Sequence, residues 1–293
     1  MSYRYLILGA DGQLGSELRS LMAQAQVHDA PVTYAYADYE ECDVTDADMV
    51  AQYFSEHERF DAVFNAAAYT AVDDAEGRPD KAMMVNAVGA AHVAAACREK
   101  GSRLIHFSTD FVFGDGHNFP IDELAEPEPL SVYGSTKLVG EQLAMQNHSA
   151  TAVLRTSGLY SRWGSNFLRS IASHARDKER IEVVDDQFIS PTPTTTLARA
   201  ALELANGPLF MGGVYHASSH GECTWFEFAQ AIVEGLDINA EVVATTSEKW
   251  GAPAQRPEYC VLDNRRLRLM GLDTFGDWEE ELSAFLGKHG DLI

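Results

Sequence analysis

The feature that most constrains the fold is a glycine-rich turn between an apolar run and an amphipathic run. The segment Gly9-Ala-Asp-Gly-Gln-Leu-Gly15 follows the apolar residues 5–8 directly and precedes the amphipathic stretch 14–25. Glycine allows a tight turn, lets a backbone approach a pyrophosphate and permits close packing of a strand on a helix. A helix that begins there offers unpaired N–H groups to an anion. The turn therefore predicts a dinucleotide site after the first strand of a βαβ series.

Apolar runs alternate with amphipathic stretches through the first half of the chain. Strands are predicted at 5–9, 32–36, 62–65, 103–108 and 151–156, and helices at 14–25, 47–58, 80–100 and 131–146. This alternation is typical of the α/β class in which a doubly wound parallel sheet of Rossmann type carries helices on both faces. The alternation loosens after residue 158. We therefore expect a dinucleotide-binding domain over 1–157, to which later segments return, and a smaller α/β substrate lobe mainly over 158–293.

Charge and cysteine usage exclude several classes of protein. The 293 residues carry a formal net charge of −22, which opposes binding to nucleic acid, so an anionic ligand would need helix N-termini and a few local arginines. No apolar run is long enough for a membrane span, and the first residues lack signal-peptide features. Cys42, Cys97, Cys223 and Cys260 form no close pair, which indicates reduced thiols. We expect a cytoplasmic protein without membrane or nucleic-acid partners.

Tyr133 and Lys137 lie four residues apart on a predicted helix, so both side chains face the same way. A tyrosine has a pKa of about 10 in water, and an adjacent ammonium eases the movement of its proton at neutral pH. Ser108-Thr109-Asp110 ends a predicted strand at the carboxyl edge of the sheet, where ligands of open α/β sheets bind. A hydroxyl there can hydrogen-bond a substrate carbonyl and hold it against Tyr133.

Asp38 lies where the second predicted strand ends, at the spacing expected of an acidic residue that binds the adenosine ribose hydroxyls. No arginine stands beside it to accept a 2′-phosphate, so NADH is favoured over NADPH; alternatively, Asp38 only belongs to an acidic loop. Asp43 and Val44 would flank the adenine. Asn65-Ala-Ala-Ala68 ends another strand with small residues that leave room for a cofactor.

Further motifs extend across nearly the whole chain. They are Gly9/Gly12/Gly15, the segment 65–73, Val85-Asn86, the segment 108–113, Tyr133/Lys137, the segment 155–157, Asn166-Phe167, Asp186-Gln187, Pro191-Thr192, the segment 213–216 and Arg256-Pro257. Together they resemble the extended short-chain dehydrogenases and, more narrowly, the dTDP-4-dehydrorhamnose reductases. The N-terminal motifs are common to the superfamily, whereas the later ones point to this branch.

The resemblance implies NAD(P)H-dependent hydride transfer to C4 of dTDP-4-dehydro-L-rhamnose. Tyr133 would donate the proton to the developing alkoxide, Lys137 would lower the tyrosine pKa and bind the nicotinamide ribose, and Thr109 would polarise the carbonyl. The implied cofactor-binding residues are Gly9, Asp11, Gly12, Gln13, Leu14, Gly15, Asp38, Asp43, Val44, Ala66, Ala67, Ala68, Tyr69, Asn86, Tyr133 and Lys137. The implied substrate-binding residues are Thr70, Val72, Thr109, Asp110, Phe111, Gly158, Asn166 and Arg256.

Two positions depart from the pattern of the resembling enzymes. Gly158 stands where they usually carry a tryptophan, for which Trp163 could substitute from another direction. Ile189 replaces a glycine in the segment 186–192. We therefore expect a reshaped sugar pocket, and the identity of the deoxysugar stays open.

Other functions remain as alternatives. A sugar-nucleotide 4,6-dehydratase would place an Asp-Glu pair after the threonine, whereas this chain has Asp110-Phe111. A C4 epimerase, which would retain its NAD, usually shows a different sequence after this strand. A non-catalytic nucleotide-binding regulatory subunit related to the reductase belongs to a different class, which the intact Thr109, Tyr133 and Lys137 disfavour.

Two further groups of side chains are expected to have no catalytic role. His216, His220 and Cys223 could suggest a metal, but their strand-like context favours a structural role, so no metal ligands are predicted. Trp225, Phe226 and Phe228 have the helical spacing of core residues. A homodimer and a bound Mg²⁺ ion occur among the resembling enzymes, and no residue constellation here indicates either.

Overall fold

The computed structural model describes residues 3–27 and 30–293. Its strands, labelled β1 to β13 in chain order, are Tyr3–Leu8, Gln26–Val27, Ala30–Ala37, Ala62–Asn65, Arg103–Thr109, Thr151–Thr156, Leu159–Tyr160, Arg180–Val184, Phe188–Ile189, Thr192–Pro193, Gly213–His216, Cys223–Thr224 and Glu241–Thr245. Its α-helices, labelled α1 to α12, are Gln13–Met22, Ala47–Glu56, Val72–Gly77, Pro79–Met83, Gly89–Lys100, Val132–Asn147, Phe167–Asp177, Thr194–Asn206, Trp225–Gly235, Ser247–Trp250, Arg265–Leu269 and Trp278–His289. A π-helical turn spans Met84–Val88, and 3₁₀ turns span Asp110–Val112 and Gly290–Leu292.

A seven-stranded sheet in the order β11-β6-β5-β4-β1-β3-β2 forms the frame of the molecule. Its strands are parallel except for β2, which pairs antiparallel with β3. The predicted doubly wound parallel sheet is therefore confirmed. The strand order reverses at β1, because β3 lies on one side of it and β4 on the other. Ligands of such sheets bind outside the carboxyl ends at the reversal, which is where the glycine turn lies.

The side chains of β1 alternate between two apolar cores. Tyr5 and Ile7 belong to the core shared with α1 and α8, whereas Leu6 and Leu8 belong to the core shared with α2 and α5. Because successive strand residues point to opposite faces, an apolar run without interruption indicates a strand covered on both sides. Helix α8 and strand β11 lie beyond residue 157, and both pack in these layers.

A smaller lobe is built mainly from residues beyond 157. Strands β8 and β13 pair in parallel there, and α7, α9 and α12 enclose a separate apolar core that contains Tyr160 and Phe228. Among the helices of the described residues, none has the length and apolar character needed to span a bilayer. All four cysteines are free and buried.

The single long helix predicted over 80–100 is interrupted by the π-helical turn. Buried Asn86 lies in this turn, where its side-chain oxygen accepts the N–H of Tyr69 at 2.7 Å and its amide donates to Thr136 Oγ1 at 3.1 Å. A π turn widens the helix and re-aims side chains, and such turns are frequent at functional sites. Periodicity alone does not mark it, because the residues on both sides remain helical.

Helix caps explain where two predicted helices begin. Ser131 caps α6, because its Oγ accepts the N–H of Gly134 at 3.1 Å. The helix ends at Asn147, one residue after the predicted end at Gln146. Thr224 caps α9 in a reciprocal capping box with Glu227. Helix α1 ends at Met22 and α2 at Glu56, earlier than predicted.

Candidate active site

The glycine turn lies between β1 and α1, and each of its three glycines has a different structural reason to be glycine. A Cβ on Gly9, whose φ is +70°, would lie 2.5 Å from the backbone nitrogen of Ala67. A Cβ on Gly15 would lie 2.1 Å from the carbonyl oxygen of Gly9. Gly12 is the N-cap of α1 and provides no side-chain cap, so the first N–H groups of the helix are left for another acceptor. Because Gly12, Gln13 and Leu14 line the adjoining cavity, this end of α1 fits a pyrophosphate.

A cavity of about 1610 Å³ lies between the carboxyl ends of the strands and the smaller lobe. Its volume exceeds that of a typical pocket for one small ligand, so a dinucleotide and a second ligand can share it. The predicted site residues that line it are Asp11, Gly12, Gln13, Leu14, Gly15, Ala66, Ala68, Thr70, Val72, Thr109, Asp110, Phe111, Tyr133, Lys137, Gly158 and Arg256. The predicted site residues outside its lining are Gly9, Asp38, Asp43, Val44, Ala67, Tyr69, Asn86 and Asn166.

Thr109, Tyr133 and Lys137 form what we term the sheet-side wall of the cavity. Thr109 ends β5, and the other two lie one turn apart on α6. Lys137 is buried, and its Nζ donates to the carbonyl oxygen of Phe107 at 2.6 Å. The Phe111 ring packs edge-on against the Tyr133 ring, with 5.7 Å between centroids. The structure thus brings together the three residues predicted to be catalytic.

Burial sets the proton affinities of the two ionisable groups on this wall. It raises the pKa of Tyr133 to about 12, although a hydrogen bond with Thr109 opposes the rise. Burial lowers the pKa of Lys137 to about 8, and the Glu141 carboxylate opposes that fall. Near neutral pH, Tyr133 therefore keeps its proton and Lys137 keeps its charge. This is the pair of states that general acid catalysis by a tyrosine needs.

Thr109 and Asp110 are joined by a buried hydrogen bond. Thr109 Oγ1 donates to Asp110 Oδ1 at 2.8 Å and accepts the N–H of Phe111 at 3.2 Å. Asp110 is 2% exposed, and its Oδ2 has no hydrogen-bond partner among the described residues. Burial raises the pKa of Asp110 to about 6, while the nearby hydroxyl groups of Ser157 and Thr109 oppose the rise.

A buried ion pair supports the sheet-side wall from behind. Glu141 lies one turn after Lys137, and its Oε2 accepts Arg155 Nη2 at 2.6 Å. Glu141 Oε1 also accepts Ser108 Oγ at 2.5 Å and Arg155 Nε at 2.9 Å. The cluster ties α6 to β5 and β6, which carry the side chains predicted to be catalytic and their neighbours. Sequence reasoning missed Glu141, although its spacing from Tyr133 and Lys137 places all three on one helical face.

The predicted adenosine-side residues are occupied by protein contacts. Asp38 Oδ2 accepts the N–H of Asp11 at 2.8 Å, and Oδ1 accepts the N–H of Tyr39 at 2.8 Å. Asp43 Oδ1 accepts the N–H and the hydroxyl of Thr45 at 2.9 and 2.8 Å. These contacts fix the loops after β3, so a role of Asp38 and Asp43 toward a cofactor stays a prediction.

A cation that sequence reasoning missed lies beside these loops. Arg19 Nη1 pairs with Asp11 Oδ1 at 2.8 Å, and the guanidinium lies 4.1 Å from the centroid of the Tyr36 ring. Asp11 in turn donates its N–H to Asp38, so Arg19 and Asp38 are linked through one residue. Arg19 is distant from Asp38 in sequence, so it is not among the sequence neighbours that could be expected to accept a 2′-phosphate. Arg19 lies one helical turn after Gly15, and this spacing is the sequence signal that would have placed it near the glycine turn.

Two predicted substrate contacts have different surroundings. Arg256 lines the cavity, but its Nη1 and Nη2 both donate to the Asp73 carboxylate at 3.0 Å, and this contact lowers the pKa of Asp73. Asn166 caps α7: its Oδ1 accepts the N–H of Arg169 at 3.2 Å, and its amide donates to the carbonyl of Ser161 at 2.8 Å. Because both polar atoms of Asn166 are engaged, the structure gives it a local structural role.

The smaller lobe contributes what we term the lobe-side wall: Lys178, Arg180, Trp225, Trp250 and Arg256. Sequence reasoning missed Lys178, Arg180 and Trp250, and it expected Trp225 in the core. Phe228 is confirmed in the core, and Trp225 packs against that core and also lines the cavity. The Trp225 ring lies 4.5 Å from that of Phe167, which holds it at the cavity edge.

The two departures from the family pattern meet in space. Gly158 lines the cavity with a φ of +54°, and a Cβ there would lie 3.1 Å from Ile189 Cδ1 and 3.0 Å from Pro191 Cα. The Ile189 side chain thus fills the space beside Gly158. Trp163 does not line the cavity, and its indole donates to Glu17 Oε2 at 3.0 Å, so it does not replace the missing ring.

His216 and His220, which could have suggested a metal site, contact other groups of the protein. His216 Nδ1 donates to the carbonyl of Ile121 at 2.9 Å, and burial lowers the His216 pKa to about 3. His220 Nε2 lies 3.4 Å from Asp273 Oδ1. Within residues 3–27 and 30–293, no group of three or more His, Cys, Asp or Glu side chains is arranged to hold a metal ion.

Comparison with known proteins agrees with the arrangement of the site. The family model described as the RmlD substrate binding domain matches residues 3–290. The chain is 37% identical to the dTDP-4-dehydrorhamnose reductase of Mycolicibacterium smegmatis, over 96% of this chain and 84% of that protein. It is also 35% identical to the spore coat polysaccharide biosynthesis protein SpsK of Bacillus subtilis, over 97% and 96% of the two chains.

Solved structures agree in the same way. The dTDP-4-dehydrorhamnose reductase of Bacillus anthracis, determined in complex with NADP, superposes with a TM-score of 0.92. It is 35% identical, and the match covers 98% of this chain and 100% of that one. A Clostridium acetobutylicum reductase of the same name superposes with a TM-score of 0.90 at 34% identity, over 97% and 98% of the two chains.

Proposed function

Because the chain belongs to the RmlD family of dTDP-4-dehydrorhamnose reductases, we propose that it reduces the C4 keto group of a dTDP-linked 6-deoxyhexose, dTDP-4-dehydro-L-rhamnose, with NAD(P)H. The resemblance inferred from the sequence motifs is confirmed by this membership. The observation that carries the proposal is that Thr109, Tyr133 and Lys137 line the same cavity as the uncapped start of α1. A carbonyl held at the sheet-side wall would therefore lie beside a bound dinucleotide.

A bound NAD(P)H would supply the hydride that reduces the keto carbon. Thr109 donates a hydrogen bond to the keto oxygen and orients it toward Tyr133. Tyr133 then gives its phenolic proton to the developing alkoxide, and the Lys137 ammonium stabilises the phenolate that remains. The N–H groups of Gln13 and Leu14 at the uncapped start of α1 would hold the pyrophosphate of the cofactor.

The lobe-side wall fits a nucleoside diphosphate. Lys178 and Arg180 offer cations to a diphosphate from this side of the cavity, which Glu182, Asp186, Glu248 and Glu258 also line. Trp225 and Trp250 present aromatic faces on which a pyrimidine base can stack. We therefore assign the sugar nucleotide to the lobe formed mainly by residues 158–293, and the dinucleotide mainly to residues 1–157.

The cofactor preference rests on Asp38 and Arg19. The Asp38 carboxylate repels a 2′-phosphate, which favours NADH, while Arg19 lies close enough to offset part of that repulsion. We expect both cofactors to support turnover, with kcat/KM for NADH higher by up to about tenfold, a difference of about 1.4 kcal/mol. Arg19→Met should widen this preference. A clear preference for NADPH in the unaltered protein would contradict the assignment of Asp38.

The function is tested by following the absorbance of reduced nicotinamide while the protein acts on dTDP-4-keto sugars. We expect oxidation of NADH coupled to formation of dTDP-L-rhamnose, identified by chromatography and NMR. The same assay with UDP-4-keto sugars tests the choice of nucleotide. Tight binding of cofactor and dTDP in a thermal-shift assay without turnover of any keto sugar would replace the proposal with the regulatory-subunit alternative.

A further inference from the structure

The Thr109 hydroxyl has a single hydrogen and two possible acceptors for it, the substrate keto oxygen and the Asp110 carboxyl. In the proposed reaction the hydroxyl must donate to the keto oxygen, yet in the structure it donates to Asp110 Oδ1 at 2.8 Å. A threonine hydroxyl provides a single donor and two acceptor lone pairs. The direction of the Thr109–Asp110 hydrogen bond therefore decides whether a donor is left for the substrate.

The protonation state of Asp110 sets this direction. An ionised carboxylate can only accept, so it binds the Thr109 hydrogen, whereas a protonated carboxyl can donate to the Thr109 oxygen and release that hydrogen. The N–H of Phe111 already donates to the same oxygen, which occupies one of its two lone pairs and leaves the other for Asp110. A donating Asp110 completes an arrangement in which the remaining hydrogen points to the cavity.

The surroundings of Asp110 favour the protonated form. Asp110 is 2% exposed, its Oδ2 lacks a hydrogen-bond partner, and no Lys, Arg or His side chain of the described residues lies within ion-pair distance. A buried carboxylate without a paired cation is costly. Burial accordingly raises its pKa to about 6.

The groups that face Asp110 carry no compensating charge. Tyr133 faces it from α6, and Cys260 faces it from the segment 259–262, with Sγ 4.0 Å from the Asp110 carbonyl. Burial raises the pKa of both, so both are neutral near pH 7. Ser157, which follows β6, is uncharged. An ionised Asp110 would moreover raise the pKa of Tyr133 and so weaken it as an acid.

We propose that Asp110 is a positioning residue that acts in its protonated form, donating a hydrogen bond to Thr109 so that Thr109 donates to the substrate carbonyl. This inference rests on the proposed reductase function. Asp110 then does not itself accept or deliver the proton of the reaction, which comes from Tyr133. Turnover requires the neutral carboxyl, so it declines as pH rises through the Asp110 pKa.

The test is the pH profile of kcat/KM for the unaltered protein and for Asp110→Asn, measured between pH ~5 and ~8. The kcat/KM of the unaltered protein should show a descending limb that starts at or above about pH 6, with a slope approaching tenfold per pH unit. The asparagine amide donates at every pH, so Asp110→Asn should lack this limb and equal or exceed the unaltered protein at pH ~8. Asp110→Leu removes both the competing acceptor and the donor that orients the Thr109 hydroxyl, so it should also lack the limb and be slower than Asp110→Asn at every pH. The proposal is overturned if Asp110→Asn keeps the limb, or if Asp110→Leu matches Asp110→Asn.

A second measurement separates this inference from the proposed function. Because folding raises the Asp110 pKa, ionising it opposes the fold, so the unaltered protein should lose thermal stability relative to Asp110→Asn as pH rises through about 6. Phe119→Leu, which changes an exposed residue without an ionisable group, is the control, and its Tm difference from the unaltered protein should not grow across that range. Absence of turnover at every pH would overturn the proposed function. A Tm difference that does not grow for Asp110→Asn would overturn the inference, with or without turnover.

Discussion

The sheet-side wall of the cavity takes its chemistry from one strand end and one helix, whereas the lobe-side wall collects side chains from α7, β8, α9, α10 and the loop before residue 257. On the sheet side, Tyr133 and Lys137 are fixed relative to each other by a single helical turn. On the lobe side, Lys178 and Trp225 become neighbours of one cavity only after the lobe has folded. Local geometry therefore determines the reacting groups, and tertiary packing determines what they act on.

This difference predicts that substitutions on the two walls change different kinetic constants. Residues that act only in the transition state lower kcat, whereas residues that bind substrate and transition state equally raise KM. The sheet-side wall should show the first behaviour and the lobe-side wall the second. A substitution that crossed this division would show that the two walls are coupled.

The largest effect is expected for Tyr133→Phe, which removes the proton donor and keeps the ring. We expect kcat to fall by about a thousandfold, within the range for loss of a general acid, while the cofactor dissociation constant changes little. Steady-state turnover and quenching of cofactor fluorescence measure the two quantities. Tyr39→Phe, at a residue that is 71% exposed, is the control and should leave both unchanged. A raised KM with an unchanged kcat would remove Tyr133 from the role of acid.

Glu141→Gln should have the next largest effect, on stability as well as rate. It leaves the guanidinium of Arg155, which is 4% exposed, without its carboxylate partner, and breaking a buried pair costs about 3–5 kcal/mol. The change also removes the charge that raises the pKa of Lys137, so turnover should be lost at a lower pH on the alkaline side. Denaturant unfolding and a pH profile measure these effects. Glu182→Gln in the exposed pair with Lys249 is the control, with an expected cost below about 1 kcal/mol.

The sequence predicts the residues of the sheet-side wall better than those of the lobe-side wall. The glycine turn and the Tyr133–Lys137 pair are short patterns whose geometry is fixed by a turn or a helix, and the structure brings them to one cavity. The cavity-lining position of Trp225 was missed because helical spacing marks the apolar side of α9 without marking which residue lies at its edge. The π turn at Asn86 depends on contacts with Tyr69 and Thr136, and no periodicity within residues 80–100 encodes those contacts.

Gly158→Ala tests whether the two unusual positions of the lobe junction form one unit. The left-handed backbone alone costs about 1–2 kcal/mol, and the new methyl group would also crowd Ile189 and Pro191. Gly101→Ala is the matched control, because its φ is +66° and nothing lies within 4 Å of its Cβ. We expect Gly158→Ala to cost more than this control in free energy of unfolding. Ile189→Val, which removes Cδ1, should recover part of the excess, and strict additivity in the double variant would contradict the packing of Ile189 beside Gly158.

Trp225→Leu is expected to have the smallest effect and bears most directly on the lobe-side wall. The ring lines the cavity and packs on Phe167, so its loss removes a surface for the base of the sugar nucleotide without touching the reacting carbonyl. We expect KM for the dTDP-sugar to rise by about tenfold, or 1.4 kcal/mol, with kcat and the cofactor dissociation constant unchanged. Phe226→Leu is the control, because Phe226 is the next residue of α9 and packs against the lobe core. Should kcat fall while KM stays constant, Trp225 would be positioning the reacting groups, and the separation of binding from chemistry between the two walls would be wrong.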